Sequence, residues 1–154
     1  MVVATTDVSA IPSTHPDVYR AAGEWLAANT PEGSLVYNVA WEDFPATFCF
    51  DPHNAYVNGL SPTYITYEHP DLGRLYADVE AGRVSLPGAV IRDRFGARYV
   101  LVNVSSEPFL AAARADPSIR LAYSNPYVAV LEIADGPAPA TSTSPVSPAS
   151  GAAP

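Results

Sequence analysis

Lysine is absent from this chain of 154 residues. All eight basic side chains are arginines (Arg20, Arg74, Arg83, Arg92, Arg94, Arg98, Arg114 and Arg120), spread singly apart from Arg92 and Arg94. Against 16 acidic residues they leave a formal charge of −8. A surface that tracks nucleic-acid phosphates or anionic lipids needs a clustered positive field, so neither partner is expected. Cys49 is the one cysteine, which excludes an internal disulfide. Its neighbours Phe48 and Phe50 predict that it is a buried, small apolar side chain. No apolar run approaches the ~18 to 20 residues of a membrane-spanning helix, and residues 1–7 lack the basic start and apolar stretch of a secretory signal peptide. As it stands, the chain is therefore expected to be soluble.

Several motifs are missing as well. The nine glycines form no Gly-x-Gly-x-x-Gly, no Walker A loop and no Gly-x-Ser-x-Gly elbow, which removes the Rossmann, P-loop and simplest hydrolase readings. No cofactor is expected. Three His/Asp pairs (His15 and Asp17, Asp51 and His53, His69 and Asp71) resemble metal-ligand spacings, but a proline separates the two residues each time. Helix starts account for two of them, so no metal is expected.

What is present is an apolar share of 48%, enough for a core in a chain of this length. Residues 136–154 hold only Gly, Pro, Ala, Thr, Ser and Val, without charge or aromatic residues, and read as a disordered tail. Residues 1–11 read as an N-terminal extension, leaving 12–135 as a single folded domain.

Within it, His15-Pro16-Asp17 and His69-Pro70-Asp71 both read as helix starts, because proline at the first helical position loses no useful hydrogen bond and the acid faces the positive helix end. The first helix places Ala21, Ala22, Trp25 and Leu26 on one face; the second places Leu72, Leu75, Tyr76 and Val79. Residues 34–40, 55–59 and 98–104 are short apolar strands, and residues 60–64 read as irregular. A short helix is expected from Glu42-Asp43-Phe44-Pro45, another around Val90, Ile91 and Phe95 up to Gly96, and a third over 109–115 capped by Ser105-Ser106-Glu107. Strands 119–123 and 127–133 form a closing hairpin around Ser124-Asn125-Pro126. This alternation predicts an α/β fold: a three-layer sandwich on a mixed sheet of about five strands, parallel in the centre with an antiparallel C-terminal hairpin edge.

Such a fold collects ligands at the carboxyl ends of its strands, here near residues 41–43, 59–64 and 103–106. Glu42 and Asp43 beside Trp41, with Tyr56 and Tyr64 in a tyrosine-dense stretch, are the candidate ligand-binding residues. Carboxylates next to aromatic rings suit sugar hydroxyls, although helix capping by the same acids competes as an explanation. Asp78-Val79-Glu80 mimics an acid-x-acid metal motif, but mid-helix it reads as a solvated face. No nucleophile and base stand in a recognisable pattern.

Four segments go beyond pattern: Trp41-Glu-Asp-Phe-Pro-Ala-Thr-Phe48, His53-Asn-Ala-Tyr-Val-Asn-Gly-Leu-Ser-Pro-Thr-Tyr64, His69-Pro-Asp-Leu-Gly-Arg-Leu-Tyr76 and Ile91-Arg-Asp-Arg-Phe-Gly-Ala-Arg-Tyr-Val-Leu101. Over about residues 15–133 the chain resembles the soluble C-terminal domain that follows the last membrane helix in bacterial polytopic glycosyltransferase-like proteins, similar to polyprenyl-phosphate-sugar-dependent mannosyltransferases. The resemblance implies an extracytoplasmic location at the cell membrane and a parent enzyme whose catalytic carboxylate lies elsewhere, between early membrane helices. It implies a non-catalytic accessory role, with the parent's membrane-embedded helices and a glycan or glycan acceptor as partners. A carbohydrate-binding module and a free-standing small α/β enzyme are the other expectations to test.

Overall fold

The computed structural model describes residues 17–135; the extension 1–11, the pair His15 and Pro16, and the tail 136–154 lie outside the described residues. Helix α1 (Asp17–Asn29) opens on an exposed ion pair, Asp17 with Arg20 at 2.8 Å. Its buried face is Tyr19, Ala22, Gly23 and Leu26, the i, i+3, i+4, i+7 stripe of an amphipathic helix. That stripe is rotated from the predicted one. Ala21 is exposed and Trp25 is half-buried, its ring stacked on Tyr123 with centroids 6.2 Å apart. Gly23 sits where α1 meets the next helix, and a Cβ there would lie 2.8 Å from Cβ of Phe50.

Strand β1 (Leu35–Asn38) leads through a 3-10 turn (Trp41–Asp43) into α2 (Phe44–Phe48) and then β2 (Ala55–Tyr56). Within residues 60–64, predicted to be irregular, Pro62 begins helix α3 (Pro62–Glu68). Ser61 caps it, its hydroxyl accepting from the Thr63 amide, and Pro62 occupies the first turn. No residue of α3 is buried, so no apolar period announces it. Helix α4 (Pro70–Glu80) begins at the second His-Pro-Asp and buries Gly73, Tyr76 and Val79, with Leu72 and Leu75 half-buried. It stops at Gly82, whose φ of +67° is left-handed; a Cβ there would also meet the Pro108 carbonyl oxygen at 2.2 Å. Helix α5 (Pro87–Val90) continues as a π turn (Ile91–Phe95) and ends at Gly96, as expected. Strand β3 (Tyr99–Asn103), helix α6 (Glu107–Ala115) and the hairpin of β4 (Ile119–Ser124) and β5 (Val128–Ile133) complete the order. The serine cap predicted for α6 does not form, since Ser106 makes no side-chain capping bond.

The five strands form one mixed sheet in the order β2-β1-β3-β5-β4. The β2-β1-β3 half is parallel, and β5 joins β3 and β4 in antiparallel pairs. Side chains alternate between faces along each strand. On one face Val36, Leu101, Val128 and Val130 pack with Tyr19, Ala22 and Leu26 of α1. On the other, Tyr37, Val100, Val102, Ala129, Leu131 and Ile133 pack with Tyr76 and Val79 of α4, Ile91, and Phe109, Leu110 and Ala113 of α6. Helices on both faces of a central sheet make the three-layer α/β sandwich that the alternation of elements predicts. Among the described residues no helix is long and apolar enough to cross a membrane.

Cys49 is exposed, against the expectation of burial. Helix α2 is only five residues long and ends at Phe48, itself 44% exposed, so the chain turns outward at Cys49 and the flanking aromatics do not enclose it.

Candidate functional site

The connections leaving β1 and β3 run to opposite faces of the sheet. From β1 the chain passes through the 3-10 turn to α2, which packs against α1; from β3 it passes to α6, within the other core. Adjacent parallel strands whose connections part in this way define a switch point at their carboxyl ends, in whose crevice open α/β sheets bind ligands. Asp43 and Asn103 lie there, one on each side.

Asp43 is 7% exposed. Its Oδ1 accepts a hydrogen bond from the hydroxyl of Tyr19, and Tyr19 in turn accepts from Nδ2 of Asn103 at 3.3 Å. Oδ1 of Asn103 is held by the amide and hydroxyl of Ser105 at 2.9 and 2.7 Å. That pair orients the Asn103 amide, which makes Tyr19 a donor toward Asp43. Oδ2 of Asp43 has no partner among the described residues. Capping does not explain this acid, because Asp43 stands at the N-cap of α2 without a side-chain capping bond.

Burial pushes the Asp43 carboxyl above its ordinary range, and the nearby charge of Glu42 adds to the effect, outweighing the Tyr19 hydrogen bond that favours the charged form. Tyr19 is pushed up by burial and by Asp43. Glu80 rises through burial and the charge of Glu42, so the field at this end of the sheet is negative. A carboxyl with a raised pKa in the folded state binds more protons there than in the unfolded chain, so its contribution to stability falls as pH rises. We expect urea midpoints measured from about pH 4, the unfolded aspartate range, upward to show wild type losing stability relative to Asp43→Asn. A pH-independent difference between the two proteins would refute this.

The structure gathers only part of the predicted site. Trp41, half-buried, and Glu42, exposed, share the 3-10 turn with Asp43. Tyr56 is committed elsewhere: its hydroxyl donates to Oδ2 of Asp51 at 2.7 Å, and its ring meets Phe44 edge-on. Tyr64 lies on α3 and is 69% exposed. The predicted set therefore reduces to Trp41, Glu42 and Asp43. Tyr19 and Asn103 were missed as site residues; the stripe of α1 and the polar end of an apolar strand were the signals.

A second polar cluster lies at the opposite end of the parallel strands. Asp51, fully buried, accepts from Nδ2 of Asn54 at 3.0 Å as well as from Tyr56, and Asn54 also donates to the hydroxyl of Thr30 at 2.7 Å. A mostly apolar cavity of about 330 Å³ is separate from both clusters; it opens beside α6 between Val104, Leu110, Ile119, Leu121 and Leu131. Among the described residues no group of three or more His, Cys, Asp or Glu could hold a metal ion. No family model matches the chain, and no curated protein matches it.

Proposed function

We propose that this chain is a non-catalytic accessory domain of a membrane-embedded glycosyltransferase-like protein, holding an acceptor or partner beside the parent's active site on the extracytoplasmic side. The sequence resemblance suggests the class, and one structural observation supports it. The start of α1 lies at the same end of the sheet as the switch-point crevice: Nδ2 of Asn125, in the β4–β5 turn, donates to the Val18 carbonyl at 3.1 Å, and Tyr19 reaches Asp43 one residue further on. Helix α1 thus begins on the crevice side of the sheet, so a connection reaching it from membrane helices would enter the domain on that side.

The reading is tested by offering a lipid-linked sugar donor to the chain alone and to the parent protein with and without it. The expected result is no transfer by the chain alone and a loss of at least tenfold when the parent lacks it. Turnover by the isolated chain, or full activity without it, would overturn the proposal.

A further inference from the structure

Asp43 is a carboxylate more than nine-tenths buried, with one oxygen satisfied by Tyr19 and the other unpaired. A buried polar atom without a partner costs ~1 to 3 kcal/mol, so such an atom calls for a donor that completes it. Across the crevice, the Asn103 amide donates one N–H to Tyr19, which leaves its second N–H to donate outward. A single hydroxyl group answers both demands, donating its proton to Asp43 Oδ2 while accepting from Asn103. A carboxylate or phosphate is disfavoured there, because its negative charge faces that of Glu42, which already acts on Asp43 and Glu80. Trp41 stands two residues from Asp43 on the same turn and is half-buried, an aromatic residue of the kind on which the apolar face of a pyranose stacks.

We infer that the switch-point crevice binds a neutral sugar, with Asp43 as hydroxyl acceptor, Asn103 as donor and Tyr19 as the residue that positions both. This deepens the acceptor-holding reading above and rests on it. Because Asp43 Oδ2 is shielded from bulk water, binding requires a shift of the 41–43 turn, which carries Trp41 with it.

The test is titration of the full chain with mannose, glucose and galactose, and with mannose 6-phosphate as the anionic probe, followed by backbone amide NMR and, in a Trp25→Phe background, by Trp41 fluorescence. At least one neutral sugar is expected to saturate in the range of ~1 mM, with shifts at Asp43 and Asn103 and a change in Trp41 emission. Asn103→Ala and Asp43→Asn are each expected to weaken it at least tenfold while keeping a dispersed spectrum, and mannose 6-phosphate should bind more weakly than mannose. Absence of a saturable response at both residues, a response unaffected by both variants, or tighter binding of the phosphate sugar overturns the inference. If the sugars fail while the parent protein still requires this domain for transfer, the sugar site falls and the accessory reading stands.

Discussion

Phe109→Ala is expected to lower the unfolding free energy by about 3 to 5 kcal/mol, with the denaturant slope unchanged. The ring is fully buried between α6 and the sheet, within the cluster that includes Tyr37, Tyr76, Val102 and Leu131. Its removal loses the transfer energy of the side chain and leaves a hole that rigid neighbours cannot fill, since β3 and β5 are buried on both faces. Against a total of ~5 to 15 kcal/mol for an ordinary domain, that is a large share. The matched control is Tyr67→Ala on α3. This also deletes an aromatic ring, but one 83% exposed, and is expected to stay within about 0.5 kcal/mol of wild type. Urea titrations of both variants decide the point: equal losses would mean that α6 does not pack as described.

The same contrast separates what could be read from the sequence and what could not. Where burial and capping act together, local pattern sufficed: Pro70 and Asp71 start α4, Gly96 ends the π turn in a left-handed conformation, and the apolar strands pair in one mixed sheet. Helix α3 escaped because its only signals are Ser61 and Pro62 at its start, with no buried stripe behind them. Cys49 was misread because flanking aromatics say nothing about where a five-residue helix ends.

The candidate cluster differs from the strands in this respect: its place in the fold follows from element order, its membership does not. Carboxyl ends of parallel strands are set by topology, and residues 41–43 and 103–106 follow from the order of elements. Which polar atoms meet there depends on a separation of 84 residues between Asn103 and Tyr19, and of 24 between Tyr19 and Asp43. No spacing rule reports such pairs. Tyr56 shows the converse: it stands in the right stretch of sequence, yet its hydroxyl turns to Asp51.

Asp51→Ala is expected to cost about 3 kcal/mol, whereas Asp51→Asn should remain within about 1 kcal/mol of wild type, and the difference tests how the second polar cluster is held. Truncation to alanine strands two donors at once, the Asn54 amide and the Tyr56 hydroxyl, each worth ~1 to 3 kcal/mol when left unsatisfied. Asparagine keeps one carboxamide oxygen for those donors. It also replaces the second oxygen, which is buried without a partner, by an N–H group. Oδ1 of Asn54 is likewise buried and unpaired among the described residues, so the same cluster holds an acceptor for the new donor. The substitution removes a buried negative charge as well, whose desolvation opposes folding. Equilibrium unfolding of the two variants at neutral pH reads the outcome directly. A loss for Asp51→Asn as large as for Asp51→Ala would show that the carboxylate charge itself, rather than its hydrogen bonds, holds Asn54 and Tyr56 in place.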